Sequence, residues 1–392
     1  MKDLVKKVFR FTGIKNLFHS IKAFSAGLIQ KESIYRWYKR LDRFPDTFLS
    51  GKGFPDLSPI QKREINDFWK KYGVRKVNYK WYRMYYGITG TVDPRFIPHS
   101  ILATVAFPYY NDLAKAKTWA DKNEFCRVLP SMRFPATIAQ RINGRYYDEE
   151  RHSYGSVITQ EYVNKVFDKI RSYDQSCIII KQTQMTNSGK GVKKAIVQSN
   201  EDLSRLLESL SSSNFIIQKT IVQHSFFNQF NPSSVNIIRV TTWRDANEVY
   251  AFAPCVRFGI KGSFTDITFV NGKEFLNVAP ISDDGFVGEY YYTLAGEKNK
   301  LNLKDNKVPC WKELIDTVKK QHEMLDYFDV VAWDMTVDDD NNLICIEYNI
   351  QEPGSIVYQF AHGPMFGDKT EALLAFLAHD ENRKRIPGKI RM

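Results

Sequence analysis

The sequence predicts an α+β protein built of more than one lobe, and three stretches carry that prediction. In the first, Cys177-Ile178-Ile179-Ile180-Lys181 is an apolar run of strand length. A glycine-bearing loop follows at 187–192. Asn200 is then expected to cap a helix with Leu203, Leu206, Leu207 and Leu210 on one face, and Phe215-Ile216-Ile217-Gln218 reads as the next strand. In the second stretch, residues 235–270 alternate as strands. In the third, a helix over 311–325 precedes two strands, 329–337 and 343–350, joined by the polar turn Asp338-Asp339-Asp340-Asn341-Asn342.

The remaining elements are read in chain order. A length of 392 residues suits two or three lobes, each able to bury a core. With 43% apolar and 14% aromatic residues and no low-complexity tract, nearly the whole chain is expected to be ordered. The charge is uneven: residues 1–40 hold ten Lys/Arg and two acids, so +8 of the net +12 lies there. Leu4, Val8, Phe11, Ile14, Leu17, Phe18, Ile21 and Phe24 recur at helical spacing between those lysines and arginines. Such a segment either lies on an anionic membrane surface or packs on the body with a solvated basic face. No nucleic-acid recognition motif accompanies the basic charge, so no nucleic-acid partner is expected. Charged residues interrupt every apolar stretch, and no secretory signal is visible. Cys126, Cys177, Cys255, Cys310 and Cys345 are odd in number and form no CxxC pair. A cytoplasmic location follows. Residues 57–72 read as a helix opened by Ser58-Pro59, and 73–118 are aromatic-rich without a clear period. The basic last ten residues are expected to be loose.

Three groups of residues carry chemistry. In Leu343–Asn349, period 2 places Cys345, Glu347 and Asn349 on one face and Ile344, Ile346 and Tyr348 on the other. A turn centred between Asp340 and Asn341 sets Asp334 opposite Glu347. Two opposed carboxylates repel. They are kept either by a cation between them, for which Asp334, Glu347 and Asn349 offer hard oxygen ligands, or by separate basic partners. Lys181 ends a buried strand and must find an anion or reach water, and the loop Asn187-Ser188-Gly189-Lys190-Gly191-Val192 beside it suits phosphate, although such loops are more often plain turns. It is not a Walker A loop: Gln184 stands where the first glycine belongs. Arg239 lies in the otherwise apolar run Ile237-Ile238-Arg239-Val240, marking either a salt bridge or an anionic ligand.

Taken together, residues 121–354 resemble the ATP-grasp superfamily, and within it the sugar-transfer-associated branch. The similarity runs through Asp121-Lys122-Asn123 with Arg133-Phe134-Pro135-Ala136-Thr137, then Ile179-Ile180-Lys181, then Ser188-Gly189-Lys190-Gly191. It continues through Ile216-Ile217-Gln218-Lys219-Thr220-Ile221, the stretch from Asn231 to Arg239, and Trp333-Asp334 with Glu347-Tyr348-Asn349. Gln218 stands where many superfamily members carry Glu, and Asp266-Ile267 where Asp-Asn is the pattern. The resemblance implies two α+β lobes gripping ATP: a pre-grasp, mostly helical region over 1–120, a small lobe over 121–222 and a large lobe over 223–392. It implies that Lys122 and Lys181 hold phosphates and that Ser188, Gly189, Lys190 and Gly191 close over them. Gln218, Lys219, Ile221 and His224 would line the nucleotide site. Asp334, Glu347 and Asn349 would hold two Mg²⁺ ions, with Mn²⁺ able to substitute, and Arg239 would act on the transferring phosphoryl group.

The implied reaction is ATP-dependent: a carboxylate takes the γ-phosphate to form an acyl phosphate, and an amine displaces the phosphate. The implied substrates are a small or lipid-linked sugar and an amine or amino acid in surface polysaccharide or capsule assembly, with residues 1–40 docking at the inner face of a membrane. Three rivals are a kinase of the same lineage, a non-catalytic membrane-binding module, which would need no Lys181, Arg239 or Glu347, and a metal-dependent glycosyltransferase that uses Asp338-Asp339-Asp340 as its metal motif. The turn composition of that stretch argues against the glycosyltransferase.

Overall fold

In a computed structural model of the chain, residues 32–51, 53–74, 77–173, 176–183, 191–271 and 273–379 are described. The amphipathic stretch of the basic N-terminus, the loop residues Ser188, Gly189 and Lys190, and the last ten residues lie outside them. The chain divides into two compact units: the described residues up to Ala106 with those from Asp368 onward, and Phe107–Gly367.

The first unit is helical. Ser58 opens the helix Pro59–Lys70 with a reciprocal cap: its side chain accepts from the Gln61 N–H, and its own N–H donates to the Gln61 side chain. The aromatic run that shows no clear period is the helix Tyr79–Thr89, in which Trp81, Tyr82, Met84, Tyr85 and Ile88 are all buried. These five lie on one side, but Tyr79 and Tyr86 on the opposite side are aromatic as well, which blurs the contrast by which an amphipathic helix is recognised. Gly87 of this helix is required by packing, since a Cβ there would lie 2.4 Å from the ring of Phe54.

The second unit contains two antiparallel sheets. β1 (Thr137–Ile142), β2 (Arg145–Asp148), β3 (Cys177–Gln182), β4 (Val192–Ile196) and β5 (Phe215–Lys219) form the smaller, in the order β2-β1-β5-β3-β4. Helices Gln160–Arg171 and Asn200–Ser209 pack on it through Tyr162, Val166, Leu203 and Leu207 against Ile138, Ile180 and Ile217. The cap of the second helix is Ser199 rather than Asn200: its hydroxyl accepts from the Asp202 N–H while the Asp202 carboxylate takes the Ser199 N–H. This reciprocal arrangement outcompetes a lone Asn cap one residue later.

The larger sheet takes β6 (Ile237–Arg244) and β7 (Val249–Phe258). A small separate hairpin of β8 (Thr268–Val270) and β9 (Lys273–Phe275) follows. The sheet then continues with β10 (Asn277–Pro280), β11 (Tyr290–Thr293), β12 (Lys298–Lys300), β13 (Val330–Val337) and β14 (Leu343–Asn349), in the order β12-β11-β10-β7-β6-β13-β14. Its core receives Leu314 and Val318 of the helix Trp311–His322, and also Phe125, Leu129, Met132 and Phe134 from the segment before β1. Sheets with helices packed on them in both halves make the α+β class plain. No helix among the described residues is long and apolar enough to cross a membrane.

One irregularity matters for the site. β13 and β14 pair as Ala332↔Asn349, Trp333↔Tyr348 and Asp334↔Glu347, and then as Met335↔Cys345, so Ile346 is an extra residue. A bulge of this kind switches the side-chain alternation beyond it. Leu343, Cys345, Tyr348 and Ile350 therefore all enter the core, whereas strict period 2 places Cys345 beside Glu347 and Asn349. Asp334 faces Glu347 as expected, but through this bulge and not through a regular hairpin.

Candidate active site

The site begins as a row across three neighbouring strands. Arg239 on β6 is directly opposite Asp334 on β13, which is directly opposite Glu347 on β14. Opposed residues share a face and approach closely, so the row juxtaposes one cation and two carboxylates. Arg239 grips Asp334 with both Nε and Nη2, the latter at 2.9 Å, and its Nη1 donates to the Pro353 carbonyl at 2.9 Å. Of the two readings of Arg239, the salt bridge is thus present. Asn349 Nδ2 donates to Asp334 Oδ2 at 3.2 Å. At the other end, the Lys122 ammonium lies 3.1 Å from Glu347. The two carboxylates are kept together by separate basic partners.

Sequence reasoning missed Arg257. It is buried on β7, with Nη1 3.4 Å from Asp334 and Nη2 paired with Asp266. Burial works against its charge, but Asp266, Tyr358, Asp334 and Glu347 outweigh it and hold the guanidinium firmly protonated. The signal was there, since Cys255-Val256-Arg257-Phe258 repeats the apolar-strand setting of Arg239. The loop that delivers Asp266 is fastened by Asn231, whose amide donates to the carbonyls of Ile260 and Ser263. Asn236 in turn donates to the carbonyls of Asn231 and Phe227. The asparagines of the Asn231–Asn236 stretch are therefore structural clamps.

Lys181 is the contrasting case. It lies near the end of β3, is buried, and forms no ion pair among the described residues. Desolvation first, and Lys122 second, push its pKa down to about 8 against the pull of Glu347, Cys345 and Asp334. Lys122, Lys181, Gln218 and Ile346 line one small pocket with Phe125, Cys126 and Phe134. Gln218 donates from Nε2 to the Pro135 carbonyl, and its buried Oε1 has no hydrogen-bond partner among the described residues.

The other candidates are scattered around this centre. The Lys219 ammonium lies over the Tyr173 ring at 5.0 Å, while its N–H donates to Ala136. Ile221 is half-buried between β5 and the short helix Ser225–Gln229, whose first turn His224 caps by accepting from the Phe226 N–H. Gly191 adopts a left-handed φ of 90° and accepts from the Gln182 N–H. Asp338 of the triple-aspartate stretch closes its own turn, accepting from the N–H groups of Asp340 and Asn342. That disposition belongs to a hairpin turn.

The donor set can be tested for a metal. Asp334, Glu347 and Asn349 offer hard oxygen ligands that suit a divalent ion such as Mg²⁺. Both Asp334 oxygens are engaged by Arg239 and Asn349 turns Nδ2 toward them, so Glu347, part-exposed with one oxygen on Lys122, is the most open of the three. Around it Lys122, Lys181, Arg239 and Arg257 outnumber the carboxylates Asp266, Asp334 and Glu347, an excess that suits a polyanion.

No curated protein matches the chain. Among solved structures, N5-carboxyaminoimidazole ribonucleotide synthetase in its ADP complex is 12% identical, covering 60% of this chain and 46% of its own, with a TM-score of 0.36. VanG D-Ala:D-Ser ligase from Enterococcus faecalis is 11% identical over 66% of this chain and 60% of its own, with a TM-score of 0.40. D-alanyl-alanine synthetase A from Vibrio cholerae O1 biovar eltor str. N16961 is 11% identical over 71% and 65%, with a TM-score of 0.39. The chain thus spans less than two thirds of the length of each. The family model described as sugar-transfer associated ATP-grasp matches residues 106–373, well over half of the sequence, and the chain belongs to that family.

Proposed function

We propose that the protein is an ATP-dependent ligase that joins a carboxylate to an amine. The observation that carries this reading is Lys181, a buried ammonium without an acidic partner among the described residues, facing one pocket with Lys122. Burying a charge is costly unless something compensates it, and the phosphates of a nucleotide would do so. Membership of an ATP-grasp family supports the same assignment.

In this reading Lys122 and Lys181 hold phosphate oxygens, and Asp334, Glu347 and Asn349 hold Mg²⁺. The metal, when bound, supplies charge neutralisation to the phosphates. The substrate carboxylate oxygen attacks the γ-phosphorus, the bond to the bridging oxygen breaks, and ADP leaves. The amine nitrogen then attacks the acyl carbon, phosphate departs with the C–O electron pair, and the amine loses a proton. Arg239 and Arg257 stand where charge develops on the transferring group, a role that works through electrostatic preorganisation. The family's association with sugar transfer favours a uronic acid or amino sugar as one substrate, with an amide as product.

Hydroxylamine intercepts acyl phosphates, so the protein incubated with ATP, Mg²⁺, hydroxylamine and a panel of uronic acids should yield a hydroxamate together with ADP. ADP release that depends on an alcohol, with no hydroxamate from any carboxylate, would replace the ligase with a kinase.

A further inference from the structure

Lys122 and Glu347 have been assigned to different ligands, yet they hold each other at 3.1 Å. The same is true of Arg239 and Asp334. The two pairs differ in what surrounds them. Asp334 keeps Arg257 and Asn349 whatever Arg239 does, and its side chain is 7% exposed. Glu347 is 27% exposed, and Lys122 is its one ion-pair partner among the described residues. Lys122 also has a fixed backbone: its N–H donates to the Thr183 carbonyl at 3.3 Å, just past the end of β3, while Glu347 rides on β14. The pair therefore joins β14, the edge strand of the larger sheet, to a segment that bonds to the end of β3 at Lys122 and packs into the larger sheet's core from Phe125 onward. It stands at the rim of the pocket that Lys122 and Lys181 line.

We propose that the Lys122–Glu347 ion pair is a latch at the pocket that metal and nucleotide open jointly, so that each is required for tight binding of the other. This rests on the nucleotide and metal assignments above. A nucleotide binding alone takes the Lys122 ammonium and leaves the Glu347 carboxylate facing phosphate. A metal binding alone takes Glu347 and leaves Lys122 beside Lys181, two ammonium groups that already oppose each other. Both ligands together replace one ion pair with two, Lys122 to phosphate and Glu347 to metal. The opening is then shared between the ligands and appears as a reciprocal coupling between them.

The latch makes a prediction opposite in sign to the ordinary loss of a ligand-binding residue. Removing Glu347 should tighten binding of nucleotide without metal, because Lys122 is released. Removing Lys122 should tighten binding of metal without nucleotide, because Glu347 is released. We would titrate the full chain with ADP in EDTA and in Mg²⁺ by calorimetry, for wild type and Glu347→Gln. In parallel, Mn²⁺ would be titrated without nucleotide by electron paramagnetic resonance, for wild type and Lys122→Met. A part-exposed pair should give roughly 3- to 10-fold tightening in each case, with the Mg²⁺ enhancement of ADP binding lost in Glu347→Gln. Tightening in either arm supports the latch, so failure of one variant to fold leaves the other to decide. If both folded variants bind as wild type or more weakly, the latch is wrong. When wild type still binds ADP with Mg²⁺ in that case, the nucleotide assignment survives without it. If wild type binds no ADP even with Mg²⁺, the nucleotide assignment and the latch fall together.

Discussion

Lys181 and Arg239 are buried to nearly the same degree, 8% and 7% exposed, and the protein treats their charges in opposite ways. Arg239 is met by a two-pronged carboxylate, a carbonyl and the face of Tyr358. Lys181 is met by a second lysine, and burial lowers its proton affinity. A compensated buried charge needs nothing from outside the fold, whereas an uncompensated one is a standing cost that an anion would relieve. The pair therefore separates a cation compensated by its own fold from one left without an ion-pair partner among the described residues, and three variants probe that separation.

The largest effect is expected on the compensated side. Asp334→Ala leaves Arg239 and Arg257 without their shared carboxylate, and removing one partner of a buried pair should lower the unfolding free energy by about 3–5 kcal/mol. Denaturant titration would measure it, and a loss within about 1 kcal/mol would show that the row is held by other contacts.

Next comes Arg239→Ala. Asp334 retains Arg257, so folding and ADP affinity should persist, while turnover falls roughly 10²–10³-fold as one electrostatic donor to the developing charge is lost. Normal turnover in a variant of reduced stability would make Arg239 purely structural.

Lys181→Met should change folding stability in the opposite sense to Asp334→Ala. The folded pKa of about 8 lies below the unfolded value of 10.5, so between those values the unfolded chain binds more protons and stability rises with pH. Below pH 8 the full burial cost is present. Replacing Lys181 should therefore raise the melting temperature at pH 7, by up to about 3 kcal/mol in stability, remove the rise in stability from pH 8 to 10.5, and abolish stabilisation by ADP. In the wild type, nucleotide affinity should fall about tenfold between pH 7 and 9 as the ammonium loses its proton. A Met variant that is less stable at pH 7 yet still stabilised by ADP would place the nucleotide elsewhere.

Some of this was legible from local pattern. The strand Cys177–Gln182, the capped helix Pro59–Lys70 and the polar turn after β13 show in the sequence, because an apolar run, a Ser-Pro start and clustered Asp/Asn act through neighbouring residues. The helix Tyr79–Thr89 was hidden because Tyr79 and Tyr86 on its more open side are aromatic like the buried side, so composition shows little contrast between the two. Cys345 was assigned to the wrong face because a bulge changes the register without a compositional mark.

By itself, then, the sequence determined where strands such as β3, β13 and β14 run and which charged side chains they hold, since side-chain type and alternation are properties of a few consecutive positions. Only the tertiary structure decided how the charges are shared: that Asp334 answers to two arginines, that Glu347 answers to Lys122, and that Lys181 meets Lys122 rather than an acid. Coulomb energies and desolvation depend on distances between residues remote in sequence, and those distances exist only once β3, β6, β7, β13 and β14 have been brought together.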